Sequence, residues 1–422
     1  MKVLVVGRGG REHALCEKIA SSPLVERVYA APGNPGMKGC AELLPYTEDE
    51  HQRLVEWSKK ERIGLVVIGP EKPLMEGLAD CYREAGIPVF APSQRAAQIE
   101  GSKSFAKELM ERYRIPTAKY RVFTDYDAAK EYVEKLDMPV VVKADGLAAG
   151  KGVVIPQTHT EAVDALREML LESRFGEASA RVVIEEFMDG EEFSLMALVH
   201  GELVVPLELA QDHKRAFDGD VGPNTGGMGA YSPVPQIPAW AVQQAVEEIL
   251  EPTARAMVQE DIPFTGVLYA GLMLTAQGPK VIEFNARFGD PETQVILPRL
   301  ECDLVQVILD VLAGRRPELK WSSQAMVGVV MASRGYPGVC AGGVPLPELA
   351  GEGQADDVHI YYSGVCQGEH QCLVSRGGRV YLAGCLGDSL RDAREKVYAF
   401  LAKHEQPEFF CRTDIGKKAV ST

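Results

Sequence analysis

The most informative stretch of the chain is Val281-Ile282-Glu283-Phe284-Asn285-Ala286-Arg287-Phe288. It begins as a strand, in which successive side chains alternate between two faces, so Glu283, Asn285 and Arg287 are expected on one face. A carboxylate and an amide oxygen suit a hard cation such as Mg²⁺ or Mn²⁺, and a neighbouring guanidinium can hold phosphoryl oxygens or a substrate anion. We therefore predict a metal and phosphate site on this strand. The alternative is a polar strand that faces solvent.

A glycine-rich loop, DGLAAGKG at residues 145–152, joins two predicted strands. It is not a Walker A loop, because only three residues separate Gly146 from Gly150, no Ser or Thr follows Lys151, and no helix follows the loop. A hairpin of this kind, which also contains Gly152, can lay backbone amides and a lysine over ATP phosphates and then move away, as a lid that excludes water. The alternative is a mobile turn that binds nothing.

Two lysines accompany this loop. Lys143 ends the strand that enters the loop, where a buried ammonium would be costly without an anion beside it, so phosphate is its expected partner. Lys103 lies near the start of a helix predicted from Ser102. It could meet a phosphate in the same way, or it could simply be exposed to solvent.

An acidic connection, EEFMDGEE at residues 185–192, lies between two apolar strands. Such a connection can offer backbone groups to adenine and a carboxylate to ribose hydroxyls, while its other acids remain solvated. The alternative is an ordinary exposed turn.

The opening loop, GRGGREH at residues 7–13, follows a strand and begins a helix, where free amides and the helix dipole favour a phosphate. The dinucleotide fingerprint would need a small residue at Glu12, and the second strand ends in Ala30 and Ala31 instead of an acidic ribose ligand. The loop is therefore not expected to bind NAD. Its glycines could equally serve only tight strand-to-helix packing, but Arg11 favours a phosphate.

The chain has 422 residues, of which 46% are apolar and 25% charged, and its formal net charge is -15. This length predicts several compact units, and the charge would repel nucleic acid over most of the surface. No apolar stretch approaches the length of a membrane span, and the start of the chain carries no basic leader, so we expect a cytoplasmic protein without membrane contact. The nine cysteines are scattered without metal-binding spacing and are expected to be reduced thiols.

The pattern of strands and helices predicts a multidomain protein of α/β and α+β class. Residues 1–101 alternate short strands and helices, which predicts a parallel α/β sheet. Residues 102–324 are predicted to form an α+β unit, with a lid at about 120–192 and a hairpin turning at His200. Residues 325–422 form a small α+β unit, whose closing helix Asp388 or Ser389 can cap.

The order of a lysine strand, a glycine hairpin, an acidic connection and a Glu, Asn strand resembles the ATP-grasp family. The resemblance implies a central ATP-grasp fold, with ATP as co-substrate and Mg²⁺ or Mn²⁺ as the metal. Many ATP-grasp enzymes carry a further acidic metal ligand on the preceding strand, where residues 269–272 offer none. The implied site has the ATP phosphates at Lys103 and Lys143 and under the lid residues Gly146, Gly150, Lys151 and Gly152, adenine at Glu185 and Phe187, ribose at Glu192, and the metal at Glu283 and Asn285.

Residues 287–294, RFGDPETQ, are similar to the signature of the phosphoribosylamine-glycine ligase family, and so are the segments 211–215, 222–229 and 411–416. The resemblance implies a carbon-nitrogen ligase that joins glycine to 5-phosphoribosylamine with ATP. The products would be glycinamide ribonucleotide, ADP and phosphate, formed through glycyl phosphate in the second step of purine biosynthesis. The alternatives are a ligase for another carboxylate and amine, and a protein that senses ATP without turnover.

The same resemblance implies the remaining roles. Arg287 and Lys143 would be catalytic, because they offset charge on the acyl phosphate and on the transferred phosphoryl group. Residues 212–229 would hold glycine and shape the amine pocket, with a surface loop as the alternative, and the opening loop would receive the phosphoribosyl group. The protein is expected to be a monomer with transient contacts to neighbouring enzymes of the pathway. The expected substrate-binding residues are Gly9, Gly10, Arg11, Glu71, Asp212, Lys214, Asn224, Thr225, Gly226 and Gly227.

Overall fold

The computed structural model describes residues 1–147, 152–349, 358–369 and 372–420. Three units follow one another along the chain, and the predicted α/β and α+β fold class is confirmed. Within the described ranges, no helix combines the length and apolar character needed to cross a membrane.

The first unit is a parallel sheet with the strand order β3-β2-β1-β4-β5. Its central strand is apolar without a break, because helices cover both faces: Val3 and Val5 pack towards one helix layer, and Leu4 and Val6 towards the other. The elements are β1 (Lys2–Gly7), α1 (Gly10–Ala20), β2 (Arg27–Pro32), β3 (Glu42–Leu43), α2 (His51–Glu61), β4 (Ile63–Ile68), α3 (Glu71–Met75), α4 (Leu78–Glu84), β5 (Val89–Phe90) and α5 (Gln94–Gly101).

The middle unit begins with a helix and a sheet of strand order β6-β9-β7-β8, which lies within the range of the predicted lid and is called the lid sheet below. Ser102 caps the helix, since its side chain accepts a hydrogen bond from the backbone N–H of Phe105 at 3.2 Å. The elements of this part are α6 (Lys103–Arg112), β6 (Tyr120–Phe123), α7 (Tyr126–Val133), β7 (Val140–Ala144), β8 (Val153–Val154), α8 (His159–Leu170) and β9 (Val182–Glu186).

A second antiparallel sheet of the middle unit has the order β11-β10-β16-β17 and forms the floor of a cavity of about 990 Å³. The predicted hairpin is confirmed, because His200 of β10 pairs with Leu203 of β11. The elements are β10 (Glu191–His200), β11 (Leu203–Pro206), β12 (Gln211–Asp212), β13 (Arg215–Phe217), β14 (Val221–Asn224), β15 (Gly229–Ser232), α9 (Ala239–Ala245), α10 (Glu251–Gln259), β16 (Thr265–Thr275), β17 (Gly278–Asn285), α11 (Glu292–Ile296) and α12 (Leu304–Leu312).

The third unit is built on a sheet of order β12-β15-β18-β22-β19 and therefore incorporates two strands from the middle of the chain. Ser389, one of the two predicted caps, accepts a hydrogen bond from the backbone N–H of Asp392 at 3.1 Å and begins the closing helix. The elements are β18 (Ala325–Ser333), β19 (Val358–Tyr362), β20 (Val365–Gln367), β21 (Leu373–Ser375), β22 (Arg379–Gly387), α13 (Leu390–Ala402), β23 (Phe409–Phe410) and α14 (Lys417–Val420).

His13 in α1 joins the first unit to the third. Its Nδ1 accepts a hydrogen bond from the backbone N–H of Tyr362 at 3.0 Å, and the two rings stack with centroids 5.8 Å apart. Burial lowers the pKa of His13 to about 4. The neutral ring is thus part of the contact, and a proton on Nδ1 would remove the acceptor.

Replacement of His13 by Asn should reduce the loss of stability in weak acid. An unfolded histidine takes up its proton near pH 6.5, whereas native His13 does so near pH 4, so the folded state loses stability as pH falls between these values. The loss from this one group is about 2 kcal/mol between about pH 7 and about pH 5. Thermal unfolding of wild type and variant at the two pH values measures it, and equal pH dependence in both proteins would contradict the role of His13.

Candidate active site

A cavity of about 990 Å³ lies where the three units meet. The opening loop, the lid sheet, the end of β17 and the segment that contains β12 to β14 form its wall. The predicted site residues on this wall are Gly9, Arg11, Glu71, Lys103, Lys143, Gly152, Glu185, Phe187, Glu192, Asp212, Lys214, Asn224, Thr225, Gly226, Glu283, Asn285 and Arg287.

Three of the predicted glycines lie behind the wall. Gly10 faces the third unit, since a side chain there would lie 2.8 Å from the Oγ of Ser363. Gly146 is held against Ala178, and Gly227 lies against Asp212 and Pro291. Two further predicted contacts of ATP fall outside the described residues, namely Gly150 and Lys151.

Glu283 and Asn285 lie at the C-terminal end of strand β17 and line the cavity. Glu283 pairs with Gly271 of β16, where an added side chain would come within 3.3 Å of the Cγ of Glu283. A side chain at position 271 would therefore crowd Glu283. Burial alone would raise the pKa of Glu283, but the charges of Lys214 and Lys143 outweigh it and hold the pKa at about 2.

The donor set at this point fits a hard cation that also binds phosphate. Glu283 is ionised and already meets one cation, the ammonium of Lys214, 3.5 Å from its Oε1. Asn285 adds an amide oxygen two residues further along the strand. Within the described ranges no group of three or more acidic, His or Cys side chains could hold a metal, but Mg²⁺ needs only one or two carboxylates when phosphates and water complete its shell.

Arg287 lies two residues beyond the end of β17, which stops at Asn285, and it lines the same cavity as Glu283 and Asn285. Its guanidinium is 3.1 Å from Glu100 and 3.3 Å from Glu71. Glu100 also accepts a hydrogen bond from the backbone N–H of Ala286 at 2.7 Å. Burial would lower the pKa of Arg287, but these carboxylates raise it, so the cation is permanent and fixed to the first unit.

Lys143 and a second lysine, Lys107, share one buried carboxylate. The Nζ of Lys143 is 2.9 Å from the Oε1 of Glu185, and the Nζ of Lys107 is 3.0 Å from its Oε2. Lys143 also donates to the backbone oxygen of Ile282 at 3.0 Å, which ties the lid sheet to β17. Burial lowers the pKa of Lys107 to about 8 against the opposing charge of Glu185. Lys103 lies alongside and donates to the backbone oxygen of Gly146 at 3.2 Å.

The acidic connection at the end of β9 contains one buried carboxylate, Glu185, and residues that face the cavity, Phe187 and Glu192. The Glu185 side chain is only 2% exposed and points to the lysines, while its backbone pairs with β6 and β7. Phe187 is 44% exposed at the cavity edge, where an aromatic ring is available to a planar ligand. Glu192 pairs with Lys214, so the two predicted polar contacts neutralise each other.

Glu12 fills the opening loop. Its Oε2 accepts a hydrogen bond from the backbone N–H of Gly9 at 2.6 Å, and its other oxygen pairs with Arg11. Arg11 is buried and donates to the backbone oxygen of Phe288 at 3.1 Å. Glu12, which does not fit the NAD fingerprint, thus accepts the hydrogen bond of a backbone N–H that was predicted to bind phosphate. An incoming phosphate would have to compete with the Glu12 carboxylate for this N–H.

The segment from Asp212 to Thr225 brings its polar groups to the cavity from both ends of a short hairpin. Arg379 of the third unit reaches the same region and donates to the backbone oxygen of Gly226 at 2.6 Å and to Asp290 at 3.0 Å. Burial and the nearby charge of Glu292 raise the pKa of Asp212. This wall is therefore assembled jointly by the middle and third units.

The family models of three domains of a single enzyme match almost the whole chain. The phosphoribosylglycinamide synthetase N domain matches residues 1–100, its ATP-grasp (A) domain matches 101–293, and its C domain matches 326–418. The chain belongs to the phosphoribosylglycinamide synthetase family. It is therefore a ligase of the ATP-grasp class that uses ATP.

Members of the family match over nearly their full length. The phosphoribosylamine-glycine ligase of Halalkalibacterium halodurans is 56% identical over 421 residues, which cover 100% of this chain and 98% of that protein. The enzyme of Listeria innocua with the same name is 53% identical over 99% of this chain and 100% of its own. The crystal structure of phosphoribosylamine-glycine ligase from Thermotoga maritima superposes with a TM-score of 0.85 at 34% identity and covers 98% of this chain and 100% of that one.

The cavity wall contains residues that were not predicted from the sequence, among them Lys107 and Arg379. Lys107 lies one helical turn after Lys103, so the spacing of four residues along α6 could have suggested a second cavity-facing lysine. Arg379 lies 89 residues after its partner Asp290, and no local pattern connects the two.

Replacement of Lys107 by Met should weaken ATP binding. Without Lys107, the Glu185 carboxylate pairs with Lys143 alone and attracts it more strongly, so the Lys143 ammonium binds a phosphate of ATP less well. We expect the KM for ATP to rise about tenfold, equivalent to about 1.4 kcal/mol, with little change in the KM for the other substrates. Steady-state kinetics on the folded variant measures this change.

Thr117→Val is the matched control. It removes the hydrogen bond that the Lys107 ammonium donates to Thr117 at 2.8 Å and the one that Thr117 donates to the backbone oxygen of Val281 at 2.7 Å, but it leaves the charges in place. An unchanged KM for ATP in Lys107→Met would contradict the shared-carboxylate arrangement.

Proposed function

We propose that the protein joins glycine to 5-phosphoribosylamine with ATP, and forms glycinamide ribonucleotide, ADP and phosphate. One observation carries the proposal: Glu283 and Asn285 lie at the point of the cavity where the lysine cluster and the segment after Asp212 face each other. A nucleotide held by the lysines would present its terminal phosphate to a small acid held by that segment. The names of the full-length relatives support the choice of substrates.

The chemistry requires activation of the carboxylate, because a carboxylate is a poor electrophile. A carboxylate oxygen of glycine attacks the γ-phosphorus of ATP, the bond to the β-γ bridging oxygen breaks, and ADP leaves. The amine of phosphoribosylamine then attacks the acyl carbon of glycyl phosphate, an amide forms, and phosphate and a proton leave. No covalent bond to the protein is needed.

The residues of the cavity supply position and charge for these steps. Lys103 and Lys143 bind the phosphates, and Arg287 stabilises the acyl phosphate from a position fixed by its carboxylate partners. Asp212 and Lys214 contact glycine and the amine. The opening loop and Glu71 receive the phosphoribosyl group, in competition with the internal contacts of Glu12 and Arg287.

Glu283 and Asn285 would hold Mg²⁺ or Mn²⁺, which when bound neutralises charge on the transferred phosphoryl group. The low pKa of Glu283, about 2, keeps this carboxylate ionised at any pH at which the enzyme works. Because the reaction belongs to the synthesis of nucleotides from soluble precursors, we expect it to take place in the cytoplasm.

ADP release should require both glycine and phosphoribosylamine, which is generated in the assay because it is unstable. Omission of glycine should abolish release, since no carboxylate is then present to receive the phosphoryl group. Replacement of glycine by alanine or of the amine by ammonia tests the rival substrates. Release that does not depend on glycine, or faster release with another acid, would overturn the proposed function.

Replacement of Glu283 by Gln should lower metal-dependent turnover by about 100-fold or more, because it removes the carboxylate that faces the phosphoryl group. The fold should survive, since glutamine has nearly the same shape. Glu202→Gln is the matched control, because it removes one charge from an exposed turn of the same unit. Turnover is measured as ADP release over a range of Mg²⁺ concentrations, and normal turnover in Glu283→Gln would refute the metal site.

A further inference from the structure

The hairpin of β13 and β14 carries the substrate wall but has little structure of its own. Lys214 lies before it and Thr225 after it, and the backbone N–H of Thr225 donates to the backbone oxygen of Lys214 at 2.8 Å. The strands between them have three and four residues, and most of residues 217–223 are exposed. A two-stranded hairpin of this size is at best marginally stable alone, so its position must be set by another element.

Arg412 provides such a contact. It is 1% exposed and is among the largest fully buried side chains of the protein. Its Nη1 donates to the backbone oxygen of Arg215 at 3.0 Å and lies 2.9 Å from the Oδ1 of Asp220. One side chain therefore contacts the hairpin at the start of β13 and in the turn before β14. Its Nε and Nη2 bind the two oxygens of Asp414 at 2.8 Å each, which fixes the plane of the guanidinium.

The neighbours of Arg412 extend the same contact across the hairpin tip. Asp414 accepts a hydrogen bond from the backbone N–H of Gly219 at 2.8 Å, and the backbone N–H of Thr413 donates to Asp218 at 2.8 Å. Phe217 lies against Phe410, with ring centroids 6.0 Å apart. The tip is therefore bound along its length by residues 410–414.

Residues 410–414 are themselves anchored to the helix α13 of the third unit. The hydroxyl of Tyr398 donates to the backbone oxygen of Arg412 at 2.8 Å and accepts from the backbone N–H of Ile415 at 3.1 Å. Arg394 donates to the backbone oxygens of Thr413 and Ile415. A rigid helix thus lies behind the segment that binds the hairpin.

We propose that Arg412 is a positioning residue, which acts with Asp220 and Asp414 to hold the β13–β14 hairpin so that Asp212, Lys214 and Thr225 face the cavity. Arg412 lies outside the cavity wall and acts through the hairpin. This inference rests on the proposed function only for the identity of the substrate that is affected. It gives the third unit a task in catalysis, which is to fix the substrate wall.

The test uses the full-length protein with Asp220→Asn and Arg412→Lys. Asp220 is 46% exposed on its side chain and also lies 3.7 Å from the Nζ of Lys418, so the first variant weakens the contact with Arg412 without burying a new group. Asp220 lies on the cavity wall and Arg412 does not, so the second variant separates positioning from direct contact with the substrate. Arg412→Lys keeps the charge but loses the planar fork that binds Asp414. Asp310→Asn is the matched control, since it breaks the ion pair of Asp310 with Arg315 away from the cavity.

Two measurements are made on each variant. Steady-state kinetics should show the KM for glycine or phosphoribosylamine raised about fivefold or more in both variants, with the KM for ATP within about twofold of wild type and the control unchanged. Hydrogen exchange of residues 213–226, which needs no substrate, should be faster in both variants and unchanged in the control.

Unchanged exchange in both variants, or faster exchange with unchanged KM values, would overturn the positioning role. A uniform loss of kcat that follows the loss of folded protein would also overturn it, because that is the result of a purely structural contact. If wild type releases no ADP with glycine and phosphoribosylamine, the proposed function fails, and the exchange measurement still decides whether Arg412 holds the hairpin.

Discussion

The cations around Glu283 must be neutralised in a cavity with restricted access to water, and the arrangement of the site follows from how the protein does this. A buried ammonium or guanidinium without an anion is costly. Lys143 is therefore paired with Glu185 across the lid sheet, and Arg287 with Glu100 across the boundary between the first and middle units. The first pair holds two strands of the lid sheet together, and the second connects the first unit to the middle one. A nucleotide and its metal bring further charges of both signs to a site whose cations and carboxylates are already in place.

Local patterns were sufficient where each residue's position depends on its own strand or loop. The alternation along β17 places Glu283 and Asn285 on one face of the strand, and the spacing of the glycine loop excludes a Walker A helix. The signature at residues 287–294 led to the family, which the family models confirm. For Arg287 the alternation does not apply, because the strand ends two residues earlier and Ala286 instead donates its N–H to Glu100.

Contacts between distant parts of the chain could not be predicted in this way. Burial of Lys107 is decided only when α6 packs against β9, and the contact of Arg379 with Asp290 depends on how β22 meets the middle unit. The same is true of the joint sheet, in which β12 and β15 lie beside β18. Glu12 is a residue whose effect on ligand choice could be predicted, although its contacts could not. Its place in the sequence excluded the dinucleotide fingerprint, but only the structure shows that its side chain occupies the amide of Gly9.

Activation of glycine by transfer of a phosphoryl group to its carboxylate is tested most directly by isotope transfer. Glycine labelled with ¹⁸O in both carboxylate oxygens is turned over with ATP and phosphoribosylamine, and the phosphate and glycinamide ribonucleotide are analysed by mass spectrometry. Formation of glycyl phosphate predicts one ¹⁸O in each phosphate and one in each amide, because the attacking oxygen leaves with phosphorus. Unlabelled phosphate from a reaction that still forms the amide would contradict the account.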